Sequence, residues 1–285
     1  MKKVVSFSGG RTSAYLSHLM IDKYGRENVE FVFMDTVAEH PKTYDFIKSV
    51  NLEFKLNLTC LRVVFNEELG KGNGYKIIDI SEIKNDLIPW REMMKKYGTP
   101  YNPGGSFCTG MMKLGPWTKY LNEKYGKNNY ESYLGIRIDE PKRLKPRENV
   151  VYMADISDFE KQDVLDWWEE RSFNLEIPEH LGNCVFCIKK GINKVALAER
   201  DEPMLGREFM DEITSSWVRE VEGRKAGKLD MYRGKNSFGD VIKIFSDHSR
   251  DDIEMTIRGR KQYESGSCTE SCEVFNDEAQ LDFDF

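Results

Sequence analysis

The chain has 285 residues, 40% of them hydrophobic and 32% charged, which excludes a disordered tail and suits an α/β domain with a smaller appendage. Lys and Arg number 42 against 48 Asp and Glu, and the whole excess of six acids falls in residues 269–285, as Glu270, Glu273, Asp277, Glu278, Asp282 and Asp284 with no base. Net charge thus neither demands nor excludes a nucleic-acid partner. No apolar run reaches the roughly 20 residues of a membrane span, and the start fails as a secretory segment at Ser8-Gly9-Gly10, so a cytoplasmic protein without a membrane partner is expected.

The first predicted strand is Val4-Val5-Ser6-Phe7, followed by Ser8-Gly9-Gly10-Arg11-Thr12-Ser13 and a helix from Ala14 to Lys23 that stops at Gly25. Phe31-Val32-Phe33-Met34 is apolar at consecutive positions, as in a parallel strand buried on both faces, and Asp35 closes it. Pro41 opens a helix over 42–51, and Leu61–Phe65 reads as a third strand. Residues 66–107 read as irregular, with Gly70, Gly72 and Gly74 in a loop and a turn at Asn102-Pro103-Gly104-Gly105. A helix over 116–125, strands at 133–136 and 150–153, and a helix through Trp167 and Trp168 complete an alternating pattern. Ser157 and Glu160 carry the capping-box spacing for that last helix. Helices are also expected over 192–200 and 208–221. Strands alternating with helices imply βαβ units and a parallel sheet.

A strand, a Ser-Gly-Gly turn and a helix start form a physical recipe for phosphate. Glycines let backbone N–H groups curl around an anion, the helix N-terminus adds orphan donors, and Ser8 and Ser13 offer hydroxyls. The segment has neither the Gly-Lys-Ser/Thr ending of a Walker loop nor the spaced glycines of a dinucleotide fingerprint. A plain strand-to-helix turn is the bland alternative.

Ser8-Gly9-Gly10-Arg11-Thr12-Ser13 resembles the loop of the PP-loop ATP pyrophosphatases. Three later segments resemble one branch of them, the 3′-phosphoadenylylsulfate (PAPS) reductase-like family. They are Phe33-Met34-Asp35-Thr36 with Glu39 and Pro41-Lys42-Thr43-Tyr44; Phe107-Cys108-Thr109 with Lys113 and Pro116-Trp117; and Leu134-Gly135-Ile136-Arg137 with Asp139, Glu140 and Arg143. Together they span about the first 145 residues, in the family's order. The resemblance implies a Rossmann-like α/β fold of the adenine nucleotide alpha hydrolase type. Its mainly parallel five-stranded sheet lies between helices and carries the nucleotide at its edge. The resemblance further implies contacts to ATP, PAPS or adenylylsulfate (APS) from Ser8 to Ser13, Asp35, Gly135, Arg137 and Arg143, with Arg137, Lys113 and Asp35 in catalysis beside Mg2+. Thr12 departs from the pattern, since many PP-loop enzymes have Asp there.

From Arg137 to Arg147 there are five bases and two acids, and arginine forks suit phosphate or sulfate. Arg137 and Arg143 are the functional candidates; Lys145 and Arg147 read as a solvated loop. Six cysteines without a signal peptide point to metal, cluster or redox chemistry. Cys184-Val185-Phe186-Cys187 lies between Gly182 and Gly191, a spacing that grips one metal centre. By resemblance, Cys108 would join Cys184 and Cys187 on a 4Fe–4S cluster, with Cys268 a candidate fourth ligand. Zinc, with His180 or a tail cysteine, is the rival. Cys60 reads as a buried inert thiol.

True sulfonucleotide reductases attack with a C-terminal cysteine in a Glu-Cys-Gly context; here the tail reads Ser267-Cys268-Thr269-Glu270-Ser271-Cys272. The first expectation is therefore an ATP pyrophosphatase-type enzyme that adenylates an acceptor, a nucleic acid among the candidates, for sulfur transfer from a donor protein. A PAPS or APS reductase and a catalytically silent nucleotide-binding protein are the alternatives. Expected boundaries are a nucleotide-binding domain over 1–175, a helical, cysteine-bearing region over 176–264, and an acidic tail over 265–285. The tail alternates acids with Leu281, Phe283 and Phe285, which suits either a solvated end or a segment that docks on a partner.

Overall fold

The computed structural model describes residues 1–97, 101–102, 105–106, 108–214, 231–233 and 236–260. β1 (Lys2–Phe7) leads into α1 (Arg11–Tyr24), then β2 (Val29–Met34), α2 (Pro41–Glu53) and β3 (Thr59–Val64). β4 (Gly74–Ile78), α3 (Ile88–Tyr97) and a short hairpin of β5 (Tyr101–Asn102) and β6 (Gly105–Ser106) follow. A π-helical turn, Cys108–Leu114, runs into α4 (Gly115–Tyr125), and β7 (Tyr130–Leu134), β8 (Val150–Tyr152) and α5 (Lys161–Glu169) complete the sheet region. Beyond it lie α6 (Ile192–Asp201), α7 (Pro203–Thr214), the pair β9 (Met231–Arg233) and β10 (Asn236–Ser237), α8 (Phe238–Ile244) and α9 (Arg250–Arg260).

The sheet order is β4-β3-β2-β1-β7-β8. Five strands are parallel, as the resemblance implies, and β4 adds a sixth, antiparallel edge. From β1 the chain winds outward through β2 and β3, then returns to lay β7 on the other side of β1. That reversal opens a crevice at the carboxyl ends of β1 and β7, where α/β sheets take their ligands.

Alternation along the central strands sorts the two faces. Val5 and Phe7 of β1 and Phe31 and Phe33 of β2 pack with α1, α2 and α5, against Leu16, Ile47 and Trp168. Val4, Val32 and Met34 face the other way and pack on Trp117, Tyr120 and Leu121 of α4. The larger core continues into the helical region through Phe186, Phe209 and Phe238, whose rings lie 5.3–5.6 Å apart, and Trp90 of α3 joins Phe209 at 5.5 Å.

Several sequence expectations are corrected. Residues 66–107 hold β4 and α3: Pro89 sits in the first turn, where its missing N–H is harmless, and Trp90, Met93 and Met94 form the buried face. Gly74 begins β4 instead of a loop, while Pro103 and Gly104 of the expected turn lie outside the described residues. β7 ends at Leu134, because the Ile136 N–H turns back to Leu134 O at 2.8 Å and takes the chain off the sheet. The cap of α5 moves three residues along. Ser157 Oγ accepts from Phe159 N inside a turn, and the Glu160 N–H donates to Asp163 Oδ2 at 2.7 Å. The helix expected over 208–221 is α7, which starts at Pro203; residues 215–221, like Cys268, Cys272 and the acidic tail, lie outside the described residues.

Candidate active site

β1 delivers the chain to the crevice at Phe7, and the turn that follows depends on glycine. Gly9 has a φ of +82°, and a Cβ there would stand 2.8 Å from Ile47 Cδ1 of α2. Conformation and close approach both demand glycine. Gly10 is the N-cap of α1 and no side chain caps the helix there, so this helix end offers backbone donors and partial positive charge to an anion. Ser13 is wholly buried and braces the turn: its hydroxyl accepts from Ser8 N at 3.1 Å and from Ser8 Oγ at 3.0 Å, and donates to Gly10 O at 3.0 Å. Its one proton is thus spent inside the loop.

Ser8, Gly9, Gly10, Arg11 and Thr12 line a cavity of about 210 Å³ together with Thr43 of α2 and Arg137, which follows β7. The Arg137 side chain is 4% exposed. Its Nη1 donates to Thr12 Oγ1 at 3.1 Å, joining the two strand ends across the switch point, while Nε reaches Asp139 Oδ1 at 2.8 Å and the backbone N–H reaches Glu140 Oε2 at 3.2 Å. The Thr43 hydroxyl is buried and has no hydrogen-bond partner among the described residues. A helix N-terminus without a side-chain cap beside the buried Arg137 guanidinium fits an anionic ligand.

The opposite lining is apolar and comes from α5 and the following segment: Val164, Leu165, Leu175, Ile177 and Pro178. Lys161 and Glu179 complete it. Lys161 Nζ donates to Glu179 Oε2 at 3.1 Å and Lys194 Nζ to Oε1 at 2.8 Å. Burial alone would raise the Glu179 carboxyl, but the bond from Lys194 and the charges of both lysines hold it well below the usual carboxylate range. Arg11 is drawn to this wall: its Nε donates to Asn174 Oδ1 at 2.8 Å and its Nη2 to Leu175 O.

Besides Ser13, which is buried inside the loop, four residues expected at the nucleotide lie outside the cavity lining. Asp35 is fully buried beneath it, with Oδ2 taking Arg62 Nη2 at 2.6 Å and Nε at 3.0 Å and Oδ1 taking Val37 N at 3.0 Å. Both Asp35 oxygens are thus engaged inside the protein, by Arg62 on one side and by the Val37 N–H and Tyr44 Oη on the other. Gly135 is buried where the chain leaves β7, and Arg143 bonds to Glu140 Oε1. Lys113, in the π-helical turn, is buried near enough to Glu39 for its charge to oppose the rise that burial gives that carboxyl.

Glu39 leads to the cysteines. Cys184 Sγ lies 3.2 Å from Thr36 Oγ1 and donates to Glu39 Oε1 at 3.5 Å, and Val185 N–H donates to Ala38 O at 2.9 Å. Lys190 is buried beneath the same loop, its Nζ on His180 O at 2.8 Å and Val185 O at 2.9 Å, and burial pushes its ammonium down to about 8. His180, the rival zinc ligand, pairs with Asp201 at 2.7 Å. Cys60 is buried, and burial raises its thiol to about 12. Among the described residues no group of three or more His, Cys, Asp or Glu side chains is placed to hold a metal ion. Cys108, Cys184 and Cys187 thus do not assemble a donor set by themselves, and Cys268 lies outside the described residues.

Sequence reasoning missed Lys161, Glu179 and Asn183 as lining residues; Thr43 stood in a quoted segment without a role. Lys161 and Glu179 sit in segments with no local motif, and only the packing of α5 brings them to the loop.

A family model described as the phosphoadenosine phosphosulfate reductase domain matches residues 2–171. The uncharacterized nin region protein ORF290 of Escherichia phage lambda is 48% identical, over 100% of this chain and 98% of that protein. An uncharacterized protein of Methanocaldococcus jannaschii is 28% identical over 57% of this chain and 34% of its own length. The matched family segment runs from β1 through α5 and so contains the loop, Thr43, Arg137 and Lys161. The chain belongs to the phosphoadenosine phosphosulfate reductase domain family.

Proposed function

We propose that the crevice binds an adenine nucleotide by its phosphates, and that the protein cleaves ATP between the α and β phosphates to adenylate an acceptor for sulfur transfer. The observation that carries this reading is the convergence of the α1 N-terminus, which no side chain caps, the Ser8–Thr12 loop and the buried Arg137 guanidinium on one cavity. In the step proposed, the acceptor forms a bond to the α phosphorus, the bond to the bridging oxygen breaks, and pyrophosphate leaves with the electron pair. The acceptor's proton passes to water. Arg137 and the loop N–H groups stabilise the charge that builds on the phosphate oxygens. Mg2+ would be carried chiefly by the nucleotide's own phosphates, as that ion prefers.

The family match favours a second reading, reduction of a sulfonucleotide with release of sulfite. Incubation with ATP or PAPS, with pyrophosphate and sulfite both assayed, decides between them. Pyrophosphate from ATP supports the first reading and sulfite from PAPS the second. Tight nucleotide binding with neither product leaves a binding protein.

A further inference from the structure

One charged group in the crevice is not used by the phosphate loop. Lys161 is the first residue of α5, and Val164 and Leu165, three and four positions on, line the same cavity, so the lysine shares the helix face that looks into it. Its Nζ is paired with Glu179, at 3.1 Å. We propose, resting on the nucleotide reading, that Lys161 is a second phosphate-gripping cation, held by Glu179 until a nucleotide with more than one phosphate group draws it away.

Three observations carry the exchange. Glu179 is bonded by two lysines, Lys161 and Lys194, one on each carboxylate oxygen. When Lys161 leaves, Glu179 keeps Lys194 at 2.8 Å, and no buried carboxylate is stranded. The Lys161 side chain is 37% exposed against 13% for Lys194, so the bond to be broken is the wetter and weaker one. A phosphate oxygen offers a stronger charge-assisted bond in exchange. Lys161 also reaches the cavity from α5, whereas the loop N–H groups belong to α1, so the two grip different phosphates of one ligand.

The test is calorimetric titration of the full chain with ATP, adenosine 3′,5′-bisphosphate and AMP. K161M should weaken whichever of the first two binds wild type more tightly by about tenfold, and AMP by less than about twofold. K161R should restore most of the loss. E179Q frees Lys161 in advance and should tighten that same ligand by about threefold. Equal weakening of all three ligands by K161M, no weakening at all, or weaker binding in E179Q overturns the proposal. Wild type that binds none of the three overturns the nucleotide reading as well, whereas selective failure in the variants touches Lys161 alone. Thermal melts of K161M and K161R confirm that the chain is folded.

Discussion

Asp35 and Arg62 sit 2.6 Å apart beneath the crevice, the carboxylate wholly buried and the guanidinium nearly so. Burial is the largest influence on Asp35 and raises its carboxyl, and the Arg62 charge opposes it. Arg62→Met would leave that carboxylate uncompensated and should cost about 3–5 kcal/mol in urea unfolding. If Asp35 served the ligand directly, the same variant would lose nucleotide affinity at unchanged stability. Val37 shows what composition hides: a buried, β-branched residue at φ 55°, held by its N–H on Asp35 Oδ1 and its carbonyl on Leu87 N. Gly9 and Arg137 were legible because the chemistry is local, a turn at a strand end and an arginine after a strand. Lys161 and Glu179 were not, because nothing in their own segments marks them.

At the scale of elements, α4 is tied to β2 through one carboxylate. Glu30 accepts from Tyr120 Oη at 2.5 Å and Lys124 Nζ at 2.8 Å, and Tyr125 adds a third bond. Burial pushes the Glu30 carboxyl up, but these three donors together outweigh it and hold it below its ordinary value. A lowered folded pKa means the stabilisation is present above the ordinary carboxylate range, about 4.3, and is lost as pH falls below it. Glu30→Gln should therefore flatten the fall in melting temperature between neutral pH and about pH 3. An identical fall in wild type and variant would show that the cluster does not report on folding. The strands of the sheet were readable as apolar runs. β4 was not, because an edge strand with Tyr75 half-buried and Lys76 and Ile77 exposed lacks that signature, and α3 was masked by the proline in its first turn.

Over the whole molecule, one core joins the sheet to the C-terminal helices through Trp90, Phe186, Phe209 and Phe238. Phe209→Ala should cost about 3–5 kcal/mol and leave a single unfolding transition. Two separated transitions would show that the helical region folds apart from the sheet. No helix among the described residues is long and apolar enough to cross a membrane. The reversal of strand order at β1 places the Ser8–Thr12 loop and Arg137 on one cavity, and that placement is the basis of the functional reading. The most direct measurement is calorimetric titration of ATP into wild type and Gly9→Val, each shown to be folded by its melt. A valine there meets both the strained φ and the Ile47 contact. The loop should open, and affinity should fall by about 1–3 kcal/mol, roughly five- to 150-fold. Equal affinity in the two proteins, or no binding by wild type, would contradict the phosphate-loop account.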